Sequence, residues 1–395
     1  MISLFGHGKT TKAVAKKIGS YKFFDDKIDN IKEVGGDTIY PSNYFDPSDS
    51  ILEIPSPGIP PSSPLIKKAK NLVSDYDYFL KEDDFSIWIS GTNGKTTTTK
   101  MLAHLLKKRG ALMGGNVGTP LASLEKAPIY ILETSSFTLH YTKKARPNIY
   151  ILLPISEDHI DWHGSFEAYK EAKLKPLKFM KEGEAILLPK EFEDIPTNGY
   201  KIPYQDSKDL ADFFDIDINR IDIKEPFLLD ALLALGVNKI LFDEIDYDLI
   251  NSFKVDPYRV EEFYDSKDRL WVDDSKGTNI DATIEAIKRY RDKKIHLILG
   301  GDDKGADLSP LFLMLKERNV TIYAVGSNKD KITSLSKEIK KECYRCNDLK
   351  NAVKMIDSSL KKGDIALLSP AASSLDEYSS YKERGEIFKK SVMSI

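Results

Sequence analysis

The sequence predicts an α/β protein of three domains with mostly parallel sheets. Three times an apolar strand runs into glycine and then into apolar residues at helical spacing: at "ISLFGHGKTTKAVAKKIG", "FSIWISGTNGKTTTTKMLAHLLKKRG" and "KKIHLILGGDDKGADLSPL". At 395 residues the chain exceeds one ordinary core and fits two or three domains of about 150 residues each. Hydrophobic residues at 41% and charged residues at 30% describe a globular chain without disordered tracts.

The net charge of −3 leaves no global basic field, which argues against nucleic acid or an anionic membrane as partner. Met1-Ile2-Ser3-Leu4-Phe5 lacks a basic n-region and a long apolar stretch, so it reads as a first strand and the expected compartment is the cytoplasm. Cys343 and Cys346 form one C-x-x-C pair, half a zinc site at most, and are expected to be free thiols.

In the first unit, Gly6-His7-Gly8 opens a helix marked by Ala13, Val14 and Ile18, so backbone can approach a phosphate there. "YKFFDD" ends the next strand in Asp25 and Asp26, where a dinucleotide fold keeps its ribose-binding acid. Thr11 replaces the third glycine of that fingerprint, so a packed tight turn fits as well. "IPSPGIPPSSP" (54–64) reads as a rigid surface loop on an exposed edge.

The second unit sets Gly91-Thr92-Asn93-Gly94-Lys95-Thr96 between a strand over Phe85–Ile89 and a helix whose Met101, Leu102, Leu105 and Leu106 share a face. Backbone N–H groups and the positive helix end meet a phosphate in such a loop, with Lys95 at the terminal phosphates and Thr96 on magnesium. A bare glycine turn is the alternative.

Further along, acids and bases crowd strand ends. In "PIYILETSSFTL" Glu133, Ser135 and Ser136 end a buried strand, where an acid requires a cation or other partner. "ILLPISEDHIDWHGSFEAYKEAKLKPL" brings His159, Asp161 and His163 past another strand as a second cation site, then Tyr169 and Lys173 one helical turn apart. The apolar helix 226–236 and "VDPYRVEEF" suggest a boundary near residue 252. Beyond it stand Arg259, Asp274, Lys276 and Thr278, suited to clamp phosphate, accept from ribose and offset an anion, with a helix N-cap at Thr278 or Asn279 as the plainer reading. Asp302, Asp303 and Lys304 end one later strand and Ser374 follows another, both on one rim of a parallel sheet.

Together GTNGKTTTT, ETSSF, DHIDWHGSFEAYKEAK, DSKGTN, GGDDKGADLSPL and LSPAASSLDEY resemble the Mur ligases, ATP-dependent amide-forming enzymes of peptidoglycan assembly, over nearly the whole chain. The resemblance implies a Rossmann-like N-terminal domain (1–84), a central P-loop ATPase domain (85–251) and a Rossmann-like C-terminal domain (252–395). It implies ATP on Gly91, Thr92, Asn93, Gly94, Lys95, Thr96 and Thr97, reached also by Arg259 and Asp274. Two magnesium ions are implied, one at Thr96, Glu133 and Ser135, the other at His159 and a carbamylated Lys173. The UDP end of the substrate falls to Thr10, Asp25, Asp26 and Ser56, with Asn116 nearer the sugar; D-glutamate falls to Thr278, Lys304, Ser374, Leu375 and Tyr381. Catalytic roles pass to Lys95, His159, Lys173 and Lys276, in a monomer whose C-terminal domain closes over the reaction.

The motifs are most similar to those of the D-glutamate-adding branch, which implies joining of D-glutamate to UDP-N-acetylmuramoyl-L-alanine through an acyl phosphate. Folylpolyglutamate synthases share the short loop, so they and other Mur ligases are the enzymatic alternatives; a nucleotide-gated binding protein is the non-enzymatic one. The sequence departs from the family where "PFLLDALLAL" puts Phe227 and Asp230 in place of asparagines near adenine, and where Thr138 follows S-S-F in place of glutamine.

Overall fold

The computed structural model describes residues 1–395. The chain divides into two compact units, Met1–Phe253 and Lys254–Ile395.

The first unit holds two sheets. One contains β1 (Ile2–Phe5), β2 (Tyr21–Asp25), β3 (Lys32–Val34), β4 (Asp37–Pro41) and β5 (Leu52–Pro55), accompanied by α1 (Lys9–Ala15), α2 (Pro64–Lys68) and α3 (Asp75–Phe79). Its order is β3-β4-β2-β1-β5, parallel except for the β3–β4 pair. Leu4, Val14, Phe23 and Ile54 bury one face of β1, β2 and β5 against α1. The proline-rich stretch 54–64 ends the edge strand β5 and starts α2, where Ser63 Oγ accepts from the Leu65 N–H and Pro64 takes the first helical position.

The other sheet contains β6 (Ser86–Ser90), β7 (Leu112–Gly115), β8 (Tyr130–Glu133), β9 (Ile149–Leu152), β10 (Ala185–Pro189) and β11 (Tyr200–Tyr204), ordered β11-β10-β9-β6-β8-β7 and wholly parallel. Strands β6, β8 and β9 are buried along their full length, so they read as unbroken apolar runs and not as alternating patterns. Around it lie α4 (Lys95–Leu106), α5 (Ser136–Tyr141), α6 (Ile160–His163), α7 (Phe166–Leu174), α8 (Ser207–Phe214), α9 (Phe227–Phe242) and α10 (Tyr247–Asn251). Helix α9 packs on α4 and is apolar nearly all round, as a helix enclosed by neighbours should be. Because β6 lies between β8 and β9, the chain reverses its direction of travel across the sheet there, the kind of switch point at which open parallel sheets bind ligands.

The second unit holds β12 (Glu261–Tyr264), β13 (Leu270–Asp273), β14 (Ile295–Leu299), β15 (Val320–Ala324), β16 (Cys343–Arg345) and β17 (Ile365–Leu368), in the order β12-β13-β17-β14-β15-β16, parallel except for β12–β13. Helices α11 (Ile280–Arg289), α12 (Ser309–Lys316), α13 (Lys329–Glu338), α14 (Leu349–Ser359) and α15 (Tyr381–Met393) cover it. Trp271, Ile298, Tyr323, Leu368 and Phe388 form its core. Both cysteines are free, and burial pushes the Cys346 thiol up to about 11, which leaves it a poor nucleophile and metal ligand. No helix of the chain is long and apolar enough to cross a membrane.

Candidate active site

The loop between β6 and α4 is closed on itself. Gly94 caps α4 with φ of 85°, and Gly91 has φ of 135°, conformations that L side chains rarely adopt. A Cβ at Gly91 would lie 2.4 Å from Leu153 Cβ, and one at Gly94 2.5 Å from Asp230 Oδ1, so space as well as backbone geometry requires glycine. Thr92 ties the loop to the segment after β9: its N–H donates to Pro154 O at 3.0 Å, and its hydroxyl accepts from Ser156 N at 2.9 Å. Lys95 Nζ turns back to donate to Gly91 O at 2.8 Å and Thr92 O at 2.7 Å. Asn93 is exposed, Thr96 half-buried and Thr97 buried. Beneath the loop, Thr98 Oγ1 donates to Asp230 Oδ1 at 2.7 Å. Asp230, where the resemblance would place an asparagine, shows in the sequence only as a single acid in the apolar run of α9.

At the end of β8, Glu133 is 2% exposed. Its Oε1 accepts from Asn116 Nδ2 at 2.7 Å, while Oε2 is buried without a protein partner. A buried carboxylate oxygen left this way suits a cation. Asn116, expected nearer the sugar, therefore has its amide on this carboxylate. Ser135 Oγ caps α5 by accepting from Thr138 N at 3.1 Å, so Thr138 is engaged there through its backbone.

Lys173 is 1% exposed, and its Nζ donates to Gly91 O at 2.7 Å and sits 4.6 Å from the centre of the Tyr169 ring. Burial first, then the charge of Lys95, holds this amine well below the usual lysine range. The Tyr169 hydroxyl in turn lies 3.0 Å from Thr92 Oγ1.

The expected convergence of His159, Asp161 and His163 on a cation does not occur, and no three His, Cys, Asp or Glu side chains in the chain are grouped to hold a metal ion. Asp161, two residues from each histidine, is exposed on another side of α6, whereas His159 and His163, four apart, both pack their rings on Phe137 and Tyr169. His163 Nε2 meets Ser136 Oγ at 3.0 Å, and burial pushes the ring down to about 4, so it is neutral at pH 7. His159 adopts φ of 54° at the N-terminus of α6, with its ring against Phe137.

In the first sheet, the Thr11 hydroxyl that replaces the third glycine donates to Gly6 O at 2.6 Å and closes the turn itself. A Cβ at Gly8 would stand 2.5 Å from Ser56 Oγ, so Ser56 and the glycine loop share one wall. Thr10 is half-buried at the start of α1. Asp25 accepts from Lys27 N at 2.8 Å, and Asp26 accepts from the Ser63 hydroxyl. The loop after β5 is pinned from the central sheet: Tyr141 Oη donates to Ile59 O at 2.6 Å and Trp162 Nε1 to Gly58 O at 3.2 Å.

In the second unit, three strand-end loops are stitched together. Asp302 N donates to Ser373 O at 3.0 Å with the reciprocal bond at 2.8 Å, Ala371 N donates to Gly277 O at 3.0 Å, and Gly300 N to Pro370 O at 2.9 Å. Asp274, expected at ribose hydroxyls, is 6% exposed and accepts from Ser369 Oγ at 2.6 Å and Val260 N at 3.3 Å. Burial raises its carboxyl to about 7, so in this unit it braces the loop from inside. Arg259 has a buried Nε without a partner. Asn279, not Thr278, caps α11, accepting from Ala282 N at 3.0 Å, which leaves Thr278 exposed. Lys276 Nζ lies 5.3 Å from the centre of the Tyr381 ring. Lys304, with φ of 50°, and Leu375 are exposed, whereas Ser374 is buried. Sequence reasoning missed Arg384, a buried guanidinium that reaches two of these loops.

A short glycine loop at a sheet reversal, a buried acid and a buried amine beside it, and a separate parallel-sheet unit define a class of nucleotide-dependent ligase, and the chain belongs to the Mur ligase family. The family's middle domain matches residues 89–197 and its glutamate ligase domain residues 258–372. Relatives include UDP-N-acetylmuramoylalanine–D-glutamate ligase of Campylobacter jejuni subsp. jejuni serotype O:23/36 (strain 81-176), 52% identical over 100% of both chains. The enzyme of the same name from Helicobacter pylori (strain ATCC 700392 / 26695) is 47% identical over 99% of each. Among solved structures, MurF ligase from Thermotoga maritima in complex with ADP matches with a TM-score of 0.58 at 18% identity, over 87% of this chain and 89% of that one, a likeness of fold.

Proposed function

We propose that this chain joins D-glutamate to UDP-N-acetylmuramoyl-L-alanine with hydrolysis of ATP to ADP and phosphate, a step of cytoplasmic peptidoglycan precursor synthesis. The observation that carries this reading is the 52% identity, over the whole of both chains, to a relative named UDP-N-acetylmuramoylalanine–D-glutamate ligase. The geometry of the loop and of its buried neighbours supports it.

ATP lies with its phosphates on the loop from Gly91 to Thr97. Lys95 gives up two neutral carbonyls, Gly91 O and Thr92 O, for charged phosphate oxygens, a stronger class of hydrogen bond. Arg259, whose buried Nε lacks a partner, is a phosphate clamp. Magnesium, when bound, offsets the charge between ATP and the acceptor carboxylate. Thr96, Glu133 and Ser135 would hold one ion, His159 and a carbamylated Lys173 the other. Lys173 is suited to that modification because burial lowers its basicity and so favours the uncharged amine, the form that adds carbon dioxide.

The L-alanyl carboxylate oxygen attacks the γ-phosphorus, the bond from that phosphorus to the bridging oxygen breaks, and ADP leaves. In the acyl phosphate the former carboxylate oxygen has become part of a good leaving group. The amine of D-glutamate, held by Thr278, Lys304, Ser374, Leu375 and Tyr381, attacks the acyl carbon and loses a proton. Phosphate departs with the acyl oxygen, while Lys276 offsets the developing anion. Thr10, Asp25, Asp26 and Ser56 bind the UDP end.

The test is ADP release with D-glutamate against L-glutamate, L-alanine and diaminopimelate, using carboxylate-labelled acceptor. Preference for D-glutamate with oxygen-18 in the phosphate is expected. Preference for another amino acid overturns the substrate, and unlabelled phosphate overturns the intermediate.

A further inference from the structure

Arg384 is 2% exposed, and taking a guanidinium out of water is costly unless something specific is gained. It lies in the first turn of α15, and both of its hydrogen bonds go to backbone carbonyls on two different loops: Nη2 donates to Ser275 O at 2.8 Å and to Ala372 O at 3.1 Å. Ser275 immediately precedes Lys276, and Ala372 stands shortly before Ser374. A third loop is close as well, since a Cβ on Gly301 would lie 3.3 Å from Arg384 Nη1. The Nε atom is buried without a partner, and burial lowers the group to about 10 although Asp376, Asp273 and Asp274 favour its charge. The next residue, Gly385, leaves room for this arrangement: a Cβ there would meet Ser275 Oγ at 2.6 Å and Asp273 Oδ2 at 2.7 Å.

We propose that Arg384 is a positioning residue for the amino-acid substrate, fixing the spacing of the loops after β13 and β17 by gripping their carbonyls from behind. The inference rests on the reading that this unit receives D-glutamate. A planar guanidinium can hold two carbonyls on separate loops in one geometry. A lysine brings the charge on a compact head without that planar fork, and a methionine fills similar volume with neither charge nor donor. If the grip matters, both replacements loosen the loops and the amino acid feels it first. The phosphate loop belongs to the other compact unit, and its hydrogen bonds stay within that unit.

The experiment compares wild type, R384K and R384M in steady-state kinetics for each substrate, with thermal unfolding alongside. The KM for D-glutamate is expected to rise about tenfold or more in both variants, with KM for ATP and for the UDP-linked acceptor within about twofold of wild type. Full retention by R384K would show that charge alone suffices and overturn the bridging role. An equal rise in all three KM values, an unchanged D-glutamate KM, or failure of both variants to fold would assign Arg384 to the core and also overturn it. Wild-type preference in the amino-acid panel decides the functional reading separately; should another amino acid be preferred, its KM is the quantity compared.

Discussion

Asn116 Nδ2 donates to Glu133 Oε1 at 2.7 Å, and this single bond decides which oxygen of the buried carboxylate is left over. With Oε1 engaged, Oε2 is the atom without a protein partner. Glu133→Gln replaces one acceptor by a donor and should raise the half-saturating magnesium concentration about tenfold or more. Asn116→Ala removes only the orienting amide and should shift it less. Magnesium titrations of turnover check both; an unshifted midpoint in Glu133→Gln would remove this residue from the metal.

Lys173 Nζ donates to Gly91 O, a bond that a carbamate can keep because its nitrogen still bears one hydrogen. Protein exchanged into carbon-13 bicarbonate should therefore show one carbamate resonance, absent from Lys173→Ala. Turnover of that variant should fall about 100-fold or more if the new carboxylate acts on the transferring phosphoryl group. An identical spectrum for the two proteins would leave the amine unmodified.

The pair Thr98 and Asp230 supports the phosphate loop from below, with Asp230 Oδ1 also filling the space beside Gly94. A hydrogen bond of this kind is worth about 1 kcal/mol net, so Thr98→Val should raise KM for ATP about fivefold. Thr98→Ser keeps the donor and should stay near wild type. Asp230→Asn keeps the acceptor and should follow Thr98→Ser, whereas Asp230→Ala should follow Thr98→Val. Isothermal titration with ADP reads the same order without catalysis.

Asp75, 4% exposed at the start of α3, has its carboxyl lifted by burial to about 7, against hydrogen bonds from its own and the Tyr76 backbone N–H groups. The unfolded chain loses this proton near pH 3.8 and the folded chain near 7, so the folded state binds more protons between those values. Stability from this group is thus greatest below pH 3.8 and declines as pH rises to about 7. Asp75→Asn should raise stability at pH 8, by up to about 4 kcal/mol, and make little difference at pH 4. Melting curves across this range check it; an equal gain at both ends would point to packing.

Local chemistry was legible in the sequence wherever it depends on neighbours along the chain. The glycines of the short loop, Lys95 behind them, and the turn that sets Tyr169 over Lys173 all follow from spacing, because a helix or a tight turn converts spacing directly into position. Contacts between distant segments were not legible. Nothing near residue 116 announces Glu133, and nothing in "YKERGEIF" announces Ser275 and Ala372, since sheet order decides those meetings. The segment 159–163 misleads for a related reason: proximity in the chain suggests a ligand cluster, but the two histidine rings pack on Phe137 and Tyr169 while Asp161 is exposed. Asp230 was half visible, an acid stranded among leucines, with its partner out of view.

Of the three tryptophans, Trp88 and Trp271 are sealed inside sheets, whereas Trp162 is half-buried, ringed by Phe137, His140, Tyr141 and His163, and bonded to Gly58 O. Its fluorescence is therefore tied to the loop that follows β5, in a setting where imidazole rings can quench it. Movement of that loop would change emission intensity and wavelength against the steady background of the other two indoles. The chain thus contains an unlabelled optical gauge of events at its first sheet, readable in a stopped-flow cuvette before any product forms.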